Sequence, residues 1–330
     1  EEDLEDLFLG KSMGVLFDTV EDIPLMPHIS KEILGLKKKT LSMLGAFVNV
    51  GKTTLLCNII LSLASKKQMI LAITNEMQLK DFKISFLLYI LNNFTDCKTV
   101  NKRKLKSGQL TDSEKDKIRE ARLYYNEHFS KYIKLAAIDT TDIRLVEKLV
   151  RKYTITDNID VLIYDTFKQN FSESGEATYK DLIRDSETIF TLCKSYNLIG
   201  LCAIQLAQQY MGNLVLDLSM LSGAKGINQI LENLIMMRTI YKEEMDKESK
   251  YYIRPYKRVK TPNGWKEEEI ELNPNNAYRC VFISKCRDAN TFEDSNEASI
   301  LSFNGYSGTV KEIGLCHPKR GYINQNYSKK

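Results

Sequence analysis

Residues 45–54 read "GAFVNVGKTT" and carry a run of types that can hold phosphate. In such a loop a strand ends, the backbone turns, and several N–H groups at a helix N-terminus point at one anion. A lysine adds mobile positive charge, and a threonine hydroxyl binds Mg²⁺. Asn49, Val50, Gly51, Lys52, Thr53 and Thr54 are the candidate cradle. The general motif has Gly where this chain has Ala46, and Gly45 comes one place too early. The glycine that the backbone cannot easily forgo is the one before the lysine, Gly51. The first is a turn residue whose role Ala is small enough to approach.

Four other positions could complete the chemistry. Asp165 ends the apolar run "IDVLIYD" (159–165), where an acid can hold Mg²⁺ directly or through water. Alone it reads equally as a strand-end cap; with Lys52 and Thr53 upstream the metal role is favoured. Glu76 follows the run at 70–73, read as a strand next to the phosphate-loop strand. There it could orient or deprotonate a water, or be a plain exposed loop acid. Gln205 ends "LCAIQ" and could sense a terminal phosphate, or simply close a strand with a hydrogen bond. Lys285 and Arg287 in "SKCR" are two apart, so on a strand they face the same way. They suit a neighbour's phosphate, as a finger with a helper, and otherwise read as a surface basic pair.

The elements that must position these groups alternate. "TLSMLGAF", "QMILAIT", "IDVLIYD" and "LIGLCAIQ" are short apolar runs; residues 53–65 and 81–94 have helical spacing. The pattern predicts an α/β fold with a mostly parallel central sheet and helices on both faces. After 230 the runs "NLIMMRTI", "YYIRPYKRV", "YRCVFISKCR" and "ASILSFN" come closely spaced, as in an antiparallel extension at a sheet edge. Residues 22–40 read as a connector. The lysine-rich segment 98–134 reads as a solvated helical face. Residues 3–9 form a short amphipathic helix with an acidic back, which needs a surface to dock on.

Composition sets limits. The chain has 330 residues, 43% of them hydrophobic, with only 16 Gly and 6 Pro, so it can bury a large core. A net charge of +4 is too small to establish a nucleic-acid partner. Seven scattered cysteines without a CxxC pair, and three scattered histidines, have no metal-ligand spacing. Reduced thiols used as core filler are expected, in a cytoplasmic setting. No apolar run is long enough to span a bilayer. The start, "EEDLEDLF", has no signal-peptide pattern and no initiating Met, so a fragment lacking an upstream domain is expected.

Together these residues resemble the ATPase domain of DnaB-type hexameric replicative helicases, with the T-even phage helicases especially near in "VNVGK". "NEMQLKDF" resembles the family's "LEM" motif, which implies that Glu76 is the catalytic base. "KLKSGQLTDSEKDKI" (104–118) is similar to a family segment of the form K-I-x-x-G-x-L-x-D. "LIYDTFKQ" resembles the magnesium motif "MIDYLQ", giving Asp165, although Thr166-Phe167 replaces the usual Tyr-Leu. "AIQLAQ" resembles "LSQLNR", giving Gln205. "SKCRDA" resembles "GKQRNG", whose Lys and Arg act on the neighbour's nucleotide, giving Lys285 and Arg287. The likeness runs from about 22 to 315. It implies ATP or another NTP with Mg²⁺, a homohexamer, 5′ to 3′ travel on single-stranded DNA, and primase and loader partners. It also implies that residues 207–228 line a central channel. "MLSGAKGINQ" lacks the Arg-Glu pair of bacterial relatives, so Gly223, Lys225 and Gly226 are the candidate DNA phosphate contacts. The charged stretch 241–269 is longer than the family leads one to expect and reads as an added hairpin.

The resulting expectation is a linker with a docking helix at 1–21, a RecA-like ATPase domain at 22–315 and a tail at 316–330. The activity expected is ATP-driven translocation and duplex unwinding. Two rivals are a RecA-type strand-exchange recombinase and a regulatory ATPase of the same fold that touches no DNA.

Overall fold

The computed structural model describes residues 20–21, 23, 25–95, 97–167, 176–224, 226–262, 264–288 and 290–323. The expected docking helix at 3–9 lies outside them. No described helix is long and apolar enough to cross a membrane.

Six parallel strands form the centre of an 11-stranded sheet. They are β3 (Thr40–Ala46), β4 (Ile70–Thr74), β5 (Ile133–Ala137), β6 (Val161–Phe167), β7 (Ile199–Gln205) and β8 (Asn233–Thr239). A two-stranded ribbon, β1 (Val20–Glu21) with β2 (Leu36–Lys37), precedes them. The other five strands are β9 (Tyr256–Thr261), β10 (Gly264–Glu269), β11 (Ala277–Cys286), β12 (Ala298–Asn304) and β13 (Thr309–Cys316). The order is β10-β9-β13-β12-β11-β8-β3-β7-β6-β4-β5, and every pairing from β10 to β8 is antiparallel. Every residue of β6 is buried, as are residues 41–46 of β3, so side chains on both faces are out of water. Only a sheet covered on both sides permits that, and it explains why these strands read as unbroken apolar runs.

The cover is helical. The helices in order are α1 (Pro27–Glu32), α2 (Lys52–Ser65), α3 (Leu79–Asn93), α4 (Lys102–Ser107), α5 (Asp112–His128), α6 (Ile143–Asp157) and α7 (Glu176–Tyr196). Three single turns follow: α8 (Ile227–Ile230), α9 (Lys242–Met245) and α10 (Phe292–Ser295). α3 packs between α2 and α5, α6 packs on α7, and both groups reach the sheet. α2 is apolar nearly all round because it is enclosed by β3, β4, α3 and β13. α5 is solvated, as expected; only Glu114 and Ala121 on it are buried. Thr111 and Glu114 close its start with a capping box.

Three expectations change. β4 is not beside β3; β7 and β6 lie between them. β8 runs parallel to β3, so the antiparallel extension begins at β11 rather than straight after 230. The connector 22–40 contains β2 and α1. The stretch 241–269 does contain a hairpin, β9 with β10, exposed at almost every position. Past β13, residues 317–323 pack back on the body: Leu214 N–H donates to Gly321 O, and Ile323 N–H to Gly212 O.

Six of the seven cysteines are buried, and all are free thiols. Burial pushes the Cys193 thiol up to about 12, which keeps it a neutral core group.

The junction of β8 and the antiparallel half holds one buried ion pair. Arg238 donates to both carboxylate oxygens of Glu244 at 2.7 Å, and both side chains are essentially out of water. Glu244 also accepts from the Tyr241 N–H at 2.9 Å. Removing one partner strands the other charge in the core. Glu244→Ala is therefore expected to lose about 3–5 kcal/mol of stability, read by denaturant titration. A loss under about 1 kcal/mol would mean that water or the Leu214 carbonyl already satisfies Arg238.

Candidate active site

β3 delivers the phosphate loop. The chain leaves the sheet at Ala46, turns through residues 47–51 and enters α2 at Lys52. Asn49 has φ 62° and Gly51 has φ 104°. Asn tolerates the left-handed region; at Gly51 a side chain is excluded twice. A Cβ there would be strained by the backbone, and would lie 2.2 Å from the ring of Phe303 on β12. No side chain caps α2, so its first N–H groups face the cleft in the manner of an anion site.

Lys52 is buried, and its ammonium donates to the Thr166 hydroxyl at 2.8 Å. The Thr53 hydroxyl donates to Asp165 Oδ2 at 2.8 Å. Those two oxygens fit a magnesium ion: both are hard donors, and neighbouring ligands of an octahedral Mg²⁺ lie about 2.9 Å apart. Thr53 and Asp165 are thus the pair that would hold the metal.

Glu76 is exposed, and its carboxylate lies 4.0 Å from the Lys52 ammonium. It reaches the site although β4 is three strands from β3. Thr74 Oγ1 accepts the N–H groups of both Glu76 and Met77, which fixes the turn after β4. Asn75 then ties that turn to β6. Its N–H donates to Asp165 O, its Nδ2 to Thr166 O and Tyr164 OH, and its Oδ1 accepts the Thr166 N–H. Gln205 ends β7 in register with Ala46 and is half-buried.

Asn49, Gly51, Lys52, Thr53, Thr54, Glu76 and Gln205 line one cleft of about 850 Å³. Lys80, Lys102 and Lys106 line it too. Part of the lysine-rich segment thus faces this cleft rather than only solvent. Lys106 pairs with Asp81 at 2.6 Å and holds that carboxyl below its ordinary range.

Sequence reasoning missed four positions here. Thr166 receives Lys52 and donates to Ala203 O at 3.0 Å. Asn75 clamps β4 to β6. Phe303 closes over Gly51. Arg279 on β11 donates to Val50 O at 2.5 Å and lies over the Phe303 ring at 4.1 Å. Asn75 adjoins Glu76, which was a signal; Arg279 and Phe303 had none.

Lys285 and Arg287 do not line the cleft. Lys285 donates to Asn228 O and, at 2.6 Å, to Leu231 O. Arg287 donates to Leu231 O at 3.2 Å and to Gln229 O. The two therefore share a face, and they grip the carbonyl end of α8, where a helix dipole favours cations. Burial, with Arg287 beside it, holds Lys285 below the ordinary lysine value. Gly223 lies in the 3₁₀ turn Leu218–Ala224, and Gly226 caps α8. A Cβ on Gly226 would come 3.2 Å from Ile183 of α7, so close packing also accounts for that glycine. Lys225 lies outside the described residues.

The sequence matches the family described as DnaB-like helicase C terminal domain over residues 26–276. The chain belongs to this family. Among curated proteins none matches the sequence significantly. Two solved structures are similar in fold. One is the ATPase domain of a DnaB-like replicative helicase: TM-score 0.68 and 12% identity, over 95% of this chain and 99% of that one. The other is a DnaB-like replicative helicase studied with its interactions with primase: TM-score 0.67 and 13% identity, over 95% of this chain and 67% of that one. The expectation of a RecA-like core with a mostly parallel sheet is met by this DnaB-like chain. As a member of a helicase family it is a nucleotide-driven enzyme by descent.

Proposed function

We propose that this chain hydrolyses ATP, or another nucleoside triphosphate, to move along single-stranded DNA and part a duplex as a homohexameric ring. The observation that carries the reading is the single cleft in which Lys52, Thr53 and Asp165 converge with Glu76. The N–H groups of residues 49–54 hold the phosphates, and Lys52 neutralises them. Bound at Thr53 and Asp165, Mg²⁺ supplies charge stabilisation on the phosphate oxygens. Glu76 accepts the proton of the attacking water, and its exposure leaves room for that water. Gln205, one strand away, meets the terminal phosphate and passes its presence to the chain after β7. Lys285 and Arg287 arrive from the neighbouring subunit. Gly223, Lys225 and Gly226 hold the DNA backbone. An interface of this head-to-tail kind closes into a ring or opens into a spiral.

Travel 5′ to 3′, contacts with primase and a loader, and a bacterial or phage-infected cytoplasm belong to the same reading. They rest on family resemblance; for primase, on the interaction described for the similar helicase. The test is a forked DNA substrate with ATP and Mg²⁺. Unwinding that depends on Lys52 supports the proposal. DNA pairing or filaments without unwinding would turn it toward a recombinase, and hydrolysis indifferent to DNA toward a regulatory ATPase.

A further inference from the structure

We infer that Arg279 is a positioning residue for the phosphate loop: it pins the Val50 carbonyl and so aims the Gly51 N–H into the nucleotide cleft. The inference rests on the proposed nucleotide site and adds a residue to it.

The argument is one of peptide geometry. The Val50–Gly51 bond is trans, so the Val50 C=O and the Gly51 N–H point in opposite directions across one plane. Arg279 Nε–H donates to that carbonyl at 2.5 Å from the side of β11. The N–H must then face the other way, toward the cleft that Gly51 lines. Glycine at positive φ could rotate this plane at little cost, because it lacks a Cβ. A loop with so permissive a residue at its centre needs an outside hold, and Arg279 supplies one.

The hold is itself rigid. Arg279 Nη1 donates to Tyr278 O at 3.0 Å, and the guanidinium plane rests on Phe303 at 4.1 Å. Phe303 is on the adjoining strand, where it pairs with Ala277 across the ladder, and its ring closes over Gly51. The cation and the ring thus confine the same peptide from two sides. Among the described residues no carboxylate forms an ion pair with Arg279. Its charge is uncompensated beside a phosphate site, where an anion would be its natural complement. Burial lowers Arg279 to about 10, which leaves it cationic at neutral pH. Arg at a stacked site is not replaceable by Lys without loss, because the ammonium has neither the plane nor the fixed donor direction.

The experiment compares Arg279→Met and Arg279→Lys with the full chain. Steady-state hydrolysis, Kd for a non-hydrolysable ATP analogue with Mg²⁺, and Tm with and without that analogue are measured. Arg279→Met is expected to raise Kd and KM about tenfold with kcat nearly unchanged, the loss of one charge-assisted hydrogen bond. Arg279→Lys should fall between it and the parent. The analogue's Tm increment should shrink in the same order. If Arg279→Met does not fold, Arg279→Lys decides: a raised KM at steady kcat supports the role, and the parental KM overturns it. Equal nucleotide affinity in folded Arg279→Met also overturns it. So does an analogue increment unchanged on a lowered Tm, which marks a purely structural residue. If the parent chain binds no Mg–ATP, the nucleotide site itself fails, a result separate from any of these.

Discussion

Glu76→Gln is expected to lower the turnover of nucleotide hydrolysis by about 10²–10⁴-fold while leaving nucleotide affinity close to the parent's. The size follows from the role proposed for Glu76. Gln matches Glu in shape and still reaches toward Lys52, but it has no basic oxygen to take a proton from water. The turn that aims residue 76 is held by Thr74 and Asn75, neither of which touches the carboxylate, so the substitution should not move the loop. Removing a negative charge 4.0 Å from Lys52 also removes a competitor of the phosphates for that ammonium. Affinity should therefore hold or tighten. The check is steady-state hydrolysis alongside equilibrium binding of a non-hydrolysable analogue. An unchanged kcat would return Glu76 to the plain reading of an exposed loop acid. A large rise in Kd would make it a binding group instead.

What the sequence made legible depended on how far apart the cooperating residues lie. The parallel core could be read because burial on both faces leaves unbroken apolar strings, as in β6 and β7. Lys52, Thr53 and Asp165 could be read because each stands at the end of such a string. Strand order could not. Whether β4 lies beside β3 is decided by crossovers, not by its own residues, and its distance from β3 is offset by the Asn75 clamp on β6. β8 looks like its antiparallel successors in composition, because a strand's direction leaves no mark on its side chains. β5, "IKLAA", is half-solvated at the sheet edge, and β10, "GWKEEE", is exposed throughout; neither carries the apolar signal. Arg279 and Val50 are 229 residues apart, and nothing local to either announces the contact.

Arg287→Ala is expected to cost about 10³–10⁵-fold in hydrolysis by the assembled ring, the range found for arginine fingers, although Arg287 lies outside its own subunit's cleft. Within one subunit Arg287 and Lys285 already have acceptors, the carbonyls of Asn228, Gln229 and Leu231. Reaching a neighbour's phosphate means leaving those oxygens. The exchange is favourable because a phosphate oxygen carries net charge, and charge-assisted bonds to it are roughly twice as strong as those between neutral groups. It also releases the end of α8, directly after the candidate DNA loop, so nucleotide in one subunit and grip in the next would be linked. Arg287→Lys keeps the charge but not the fork, and should recover only part of the rate. The decisive measurement mixes two inactive proteins. Lys52→Ala keeps its finger and Arg287→Ala keeps its phosphate loop, so in randomly mixed rings about a quarter of the interfaces join an intact loop to an intact finger. Hydrolysis should reappear on mixing, in proportion to such interfaces. Should mixed rings form, as shown by mass, and remain inactive, Arg287 does not act on the neighbour, and its hold on α8 is its whole role.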